Sequence, residues 1–113
     1  MNQCNHVVLQ GRLAFEPEVK ELTSGKKLGK LRLACKSGRG TLFIDVDVWE
    51  DNLIGTVQQL HKGEEAVVAG ELRSNSWESP TGEKRMKHVV VADSIRSAAT
   101  GKQETINTNE APF

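Results

Sequence analysis

Two runs of two-residue alternation, residues 28–36 (LGKLRLACK) and 41–50 (TLFIDVDVWE), are separated only by Ser37-Gly38-Arg39-Gly40. Alternation of period two marks a strand with one buried face, and a short glycine-rich gap between two such runs is a hairpin turn. With Ser37 facing Gly40, Arg32 lies opposite Asp45 and Lys30 opposite Asp47, while Leu33 meets Ile44 and Leu31 meets Val46. Charges then pair on one face and apolar side chains on the other. A slip by a single residue destroys both patterns, so the chain is committed to this antiparallel hairpin in this register. The two aspartates neutralise their cross-strand neighbours, each such pair contributing about 0.2–1 kcal/mol.

The rest of the chain reads largely as strands. Asn5 to Leu13 places Val7, Leu9, Gly11 and Leu13 on one face, the glycine predicting a bulge or a sharp bend. Beyond Glu16-Pro17, Glu18 to Leu22 continues that strand in a new direction as far as Thr23-Ser24-Gly25. Helical spacing occurs in residues 51–63, where Leu53, Ile54, Val57 and Leu60 share a face, Asp51 or Asn52 supplies an N-cap and Gly63 a stop. Residues 65–72 (EAVVAGEL) return to strand. Ser79-Pro80-Thr81-Gly82 has type I turn chemistry, and Lys84 to Ile95 forms the last strand. The expected fold is all-β: a five-stranded Greek-key barrel of the OB type, with one short helix between strands 3 and 4. Residues 1–96 form this domain, and residues 97–113, polar and aperiodic, form a disordered, flexible C-terminal tail.

At 113 residues the chain holds one modest core. Its 15 basic and 15 acidic residues cancel, so any site for a polyanion is a local patch rather than a property of the whole molecule. Cys4 and Cys35 are too few for a disulfide framework and read as reduced thiols. No N-terminal signal pattern is present, and no apolar run approaches the roughly 18 residues of a spanning helix. The expectation is a soluble, cytoplasmic protein with no membrane association.

Such patches are present. The outward face of residues 41–50 carries Phe43 and Trp49 beside Asp45 and Asp47, two aromatics in a chain with 3 Phe, 2 Trp and no Tyr. A pair of aromatics on one wet face marks a surface that meets something flat and apolar. Trp77 follows the polar run Arg73 to Ser76, on the same face as Arg73 and Asn75. Lys26, Lys27, Lys30, Arg32, Lys36 and Arg39 are the only charged residues between Leu22 and Phe43, and Lys84, Arg85 and Lys87 form a second cluster. A basic cluster alone is more often a solvated face. Placed beside aromatics, it becomes a groove for a stacked polyanion, which needs both components. Trp49 has a competing reading, folded over the helix as core, and Trp77 another, as a contact with a neighbouring subunit.

The segments NHVVLQGRLAFEPEVKELTSGK, VDVWEDNLIGTVQQLHKGEEAVVAGELRSNSWESPTGEKR and HVVVADSI resemble the bacterial single-stranded DNA-binding protein family across residues 2 to 96. Specificity lies in the ordered series GRL, EPE, SGK, KG before a strand, GEL, and a tryptophan followed by a turn. The resemblance implies an OB-fold protein, a homotetramer, that wraps single-stranded DNA without sequence preference and works in the nucleoid in replication, recombination and repair. It assigns base stacking to Phe43, Trp49 and Trp77. Phosphate contacts fall to the basic groups Lys26, Lys27, Lys30, Arg32, Lys36, Arg39, Arg73, Lys84, Arg85 and Lys87. It implies no catalysis, no metal and no other cofactor.

Three departures from the family pattern stand out. Asp45 and Asp47 replace neutral or basic residues, which lowers the affinity expected there. The turn between the second and third strands is far shorter than the family's usual loop, so a stacking aromatic and part of the wrapping surface are missing. The ending Asn109-Glu110-Ala111-Pro112-Phe113 matches the family's partner-recruiting tip in Pro112 and Phe113, with Glu104 and Glu110 as its only acids. The alternative function is a primosome-type OB-fold accessory protein, commonly a dimer, acting as an adaptor between single strands and other proteins. An enzyme built on Asp45-x-Asp47, or a zinc site from His6, His88, Cys4 and Cys35, lacks the spacing either would need.

Overall fold

The computed structural model describes residues 3–98. Strands β1 (Val7–Leu13), β2 (Glu18–Glu21), β3 (Lys27–Ser37) and β4 (Gly40–Val48) precede helix α1 (Asp51–Gln59), and β5 (Glu65–Glu78) and β6 (Lys84–Ser97) follow it. The sheet order is β1-β5-β6-β4-β3-β2, and β1 also pairs with β3, so five strands close on themselves with β2 as an outrigger. β4 and β6 run parallel, with Asp45, Val46 and Asp47 beside Val89, Val90 and Val91.

The helix therefore follows the fourth strand, which corrects the expected position between strands 3 and 4. Glu18–Glu21, anticipated as a continuation of the first strand, is a strand of its own laid along β3 from Lys30 to Lys27. β1 reaches β3 only at Arg12 and Leu13. The interruption contains Pro17, which has no N–H to give to a ladder.

The β3–β4 hairpin has the register its alternation dictates, from Gly29 opposite Val48 to Ser37 opposite Gly40, with Arg32 facing Asp45 and Lys30 facing Asp47. Gly38 supplies the positive φ, +56°, that a two-residue turn matching strand twist requires. Leu31, Leu33, Val46 and Val48 are fully buried, and with Leu13, Val57, Val68 and Val90 they fill the barrel. Burying each such side chain contributes roughly 1.5–3 kcal/mol. A one-residue slip would drive Lys30, Arg32, Asp45 and Asp47 into that space, so packing and pairing enforce the same register. Leu42 shares the inward parity but is exposed, because the hairpin tip runs past the end of the barrel.

α1 lays Ile54 and Val57 on the core. Its N-cap is Glu50, with no side-chain cap, rather than Asp51 or Asn52, which lie inside the first turn. The acid at Asp51 still suits the positive end of the helix. Leu60, not Gly63, ends the helix; Gly63, at φ +87°, belongs to the next turn, closed by the Glu64 N–H donating to the His61 carbonyl at 3.0 Å.

The β1–β5 ladder runs through Gly11 without a register shift, so the expected bulge there is absent. The shift lies instead at Ala69/Gly70, where a Cβ on Gly70 would overlap the Val91 carbonyl. Asn5 lengthens the edge beyond β1 by donating from Nδ2 to the Leu72 carbonyl at 2.8 Å and accepting from the Leu72 N–H at 2.9 Å. β5 and β6 continue past the barrel as an arm paired from Ser74/His88 to Glu78/Lys84. The turn at its tip is closed by the Gly82 N–H donating to the Ser79 carbonyl at 2.9 Å. β5 is thus longer than the expected residues 65–72, and β6 runs two residues past Ile95.

Candidate nucleic-acid interface

Period-two geometry gives one parity across four strands facing away from the core, although two of its members, Asp47 and Val89, are themselves buried. On β3 it holds Lys30, Arg32 and Lys36; on β4, Phe43, Asp45 and Asp47; on β6, Arg85, Lys87, Val89 and Val91; and on β5, Glu71, Arg73, Asn75 and Trp77. Trp49, two residues past Asp47, keeps the same parity just beyond the end of β4. Phe43, Trp49 and Trp77 are 57%, 41% and 47% exposed. The alternative placing of Trp49 as barrel core is thereby excluded.

Charges on this face are organised in pairs. The Asp45 carboxylate accepts from Arg32 Nε at 2.8 Å through Oδ1 and from Lys87 Nζ at 2.6 Å through Oδ2. Lys30 Nζ reaches Asp47 Oδ1 at 3.3 Å. Burial alone would push the Asp45 carboxyl up, but the hydrogen bonds from Arg32 and Lys87 outweigh it and hold the group below the usual carboxylate range. Asp45 is therefore a stable anion linking three strands. On the arm, Arg73 pairs with Glu71 and Arg85 with Glu83.

The basic residues anticipated as one set are divided by the fold. Lys30, Arg32, Lys36, Arg73, Arg85 and Lys87 share the face with the aromatics. Lys27 has the opposite parity and lines a groove against α1 with Asp51, Ile54 and Gln58. Lys84 lies opposite Glu78, across the arm from the Trp77 and Arg85 face. Lys26 and Arg39 sit in the turns at the two ends of β3, and both are exposed. Among the described residues, Lys26, Lys27, Lys36, Arg39 and Lys84 form no ion pair. Met86, which the sequence reading does not single out, is exposed and lines a groove with Ser76, Trp77, Lys84 and Arg85; its register opposite Ser76 gives it the parity of Lys84 rather than that of Trp77, so alternation alone gives no signal for it.

Among the described residues no group of three His, Cys, Asp or Glu side chains is arranged to hold a metal ion, and Cys4 and Cys35 are both free thiols, the first exposed and the second buried. No helix among them is long and apolar enough to cross a membrane. Glu110, Pro112 and Phe113 lie outside the described residues.

The model of the Single-strand binding protein family matches residues 4–98. A single-stranded DNA-binding protein of Wolinella succinogenes is 32% identical over 101 residues, covering 81% of this chain and 62% of its own length. One from Helicobacter pylori is 34% identical over 101 residues, covering 81% of this chain and 56% of its own. The chain thus spans less than two thirds of either relative. Among solved structures, a Plasmodium falciparum protein described as an SSB complex with ssDNA superposes with a TM-score of 0.77 at 20% identity, over 86% of this chain and 97% of the other, and shares the fold. A match running from the first strand to the end of the last leaves no part of the barrel outside it, and the chain belongs to the single-strand binding protein family.

Proposed function

We propose that this protein binds single-stranded DNA without sequence preference, coating and protecting exposed strands during replication, recombination and repair, and that it does so without catalysis. The observation that carries the reading is the joint exposure of Phe43, Trp49 and Trp77 on the parity face that also bears Arg32, Lys36, Arg73 and Lys87. Unpaired bases stack on flat rings whatever their identity, since every base has a π-face, and neighbouring cations hold the phosphates. A duplex hides those π-faces, so this surface discriminates by strandedness.

Family membership, together with the exposed Trp49 and Trp77, favours this role over that of an adaptor between single strands and other proteins. The remaining family expectations complete the proposal: a homotetramer of barrels, a tail beyond β6, beginning after residue 97 rather than at it, whose Glu110, Pro112 and Phe113 engage replication and repair proteins, and a cytoplasmic, nucleoid-associated location. The test is intrinsic tryptophan fluorescence titrated with oligo(dT) and, separately, with duplex of the same length. Quenching by oligo(dT) alone supports the reading; equal response to both, or to neither, overturns it. The single-strand affinity should also fall with salt, with a log-log slope of about 0.7 per phosphate contact.

A further inference from the structure

Asp45 and Asp47 pose an electrostatic problem, because carboxylates on a face that receives a polyanion repel it. Their depth alters that expectation. The Asp45 side chain is 20% exposed, whereas those of Arg32 and Lys87, to which it is bound, are 45% and 44% exposed. The carboxylate is recessed and the cations project above it. Its two oxygens serve different strands, Oδ1 taking Arg32 of β3 and Oδ2 taking Lys87 of β6. Two cations and one carboxylate leave the trio with one net positive charge.

Arg32 gives only Nε to Asp45, and among the described residues its terminal nitrogens make no hydrogen bond or ion pair. The edge of the guanidinium that recognises a phosphate through two parallel hydrogen bonds is therefore free, while the other edge is fixed. Lys87 uses one of three ammonium donors in the same way.

We infer that Arg32 and Lys87 form a discrete phosphodiester subsite on the sheet face and that Asp45 is its positioning residue, holding both long side chains in their receiving geometry. This rests on the single-stranded DNA reading above. It reverses the simplest electrostatic expectation: deleting the negative charge weakens binding instead of strengthening it. Long cationic side chains lose considerable rotamer freedom when a ligand orders them, and a carboxylate that has already ordered them lowers that cost at the moment of binding.

The test measures oligo(dT) affinity for the full chain and for Asp45→Ala and Asp45→Asn, then repeats Asp45→Asn in an Arg32→Ala/Lys87→Ala background. Asparagine keeps the size of the side chain, so that variant is informative even if the alanine variant fails to fold. The expected results are about tenfold weaker binding for Asp45→Asn and no further loss in the double-alanine background. Failure of the unmutated protein to bind oligo(dT) overturns the functional reading and the subsite with it. Normal binding by that protein, with equal or tighter binding by Asp45→Asn, overturns the subsite alone. A loss that persists without Arg32 and Lys87 assigns Asp45 a merely structural role and also overturns it.

Discussion

Gly11 of β1 lies so close to Ala34 of β3 that a Cβ on the glycine would stand 2.6 Å from the Ala34 carbonyl oxygen and 2.8 Å from Cys35 Sγ. This is where the sheet becomes a barrel, since β1 pairs with β5 along Val7–Arg12 and with β3 only at Arg12 and Leu13. The obstructing atom is backbone, which cannot swing aside. Gly11→Ala should therefore destabilise the fold by about 1–3 kcal/mol, the usual cost of overpacking. A urea titration showing an unchanged midpoint would mean that the two strands do not approach so closely.

That contact illustrates what the sequence makes legible. The β3–β4 register could be read because a short turn and two alternations constrain each other within twenty-odd residues of chain. The closure of β1 on β3 and the parallel pairing of β4 with β6 leave no local trace beyond a glycine at Gly11, which reads equally well as a bulge. Alternation also tells which way a side chain points without telling where the barrel ends: Leu42 and Val46 share a parity, yet one is exposed and the other fully buried. Phe43 and Trp49 were legible because alternation puts both on the outward face of one strand, and Trp77 because it follows a polar run. The basic residues were less so, because proximity in sequence ignores parity. Lys84 and Arg85 are neighbours in the chain and lie on opposite sides of the arm.

If the exposed rings receive bases, each should be separately measurable. Phe43→Ala and Trp77→Ala should each weaken oligo(dT) binding by about 5- to 150-fold, corresponding to roughly 1–3 kcal/mol per stacked base. Neither ring belongs to the buried core, so thermal stability should change little. The two variants differ in signal: Phe43→Ala keeps both indoles and full quenching at a higher midpoint, while Trp77→Ala also loses quenching amplitude. Unchanged affinity in both would dismiss the stacking assignment.

Gly55 lies within α1 on its exposed side, and a Cβ built there meets nothing within 4 Å. No packing or turn requirement explains a glycine at this position in the described chain. Ala should remove the excess flexibility of the unfolded state and stabilise the protein by about 0.5–1 kcal/mol. The readout is the denaturation midpoint of Gly55→Ala. A decrease would show that another surface approaches the helix closely at Gly55.

Just beyond the C-terminal end of β1, Glu16 binds the turn after α1, accepting from the Lys62 N–H at 3.0 Å and meeting His61 Nδ1 at 3.0 Å. Glu64 accepts from the His61 N–H and from the Ser97 hydroxyl, and Arg12 donates to the Gly63 carbonyl, so the charged groups around His61 are Glu16, Glu64, Lys62 and Arg12. The hydrogen bond to Glu16 raises the His61 pKa above its ordinary 6.5, and the same bond, with that from Lys62, lowers Glu16 below 4.5. A raised histidine pKa contributes stability that is complete below the unfolded value and disappears as pH rises through the folded one. A lowered carboxylate pKa contributes stability that is complete above its unfolded value and disappears as pH falls through the folded one. The pair is therefore fully effective between pH 4.5 and 6.5 and weakens on either side. Both side chains are largely exposed, so the effect is modest, and its pH profile is more diagnostic than its size. His61→Ala should lower the melting temperature most near pH 5.5, and the gap to the unmutated protein should narrow as pH rises above 6.5 and through the raised value of the folded imidazole. A gap that stays constant from about pH 5.5 to pH 8 would mean that His61 acts through packing rather than through its charge.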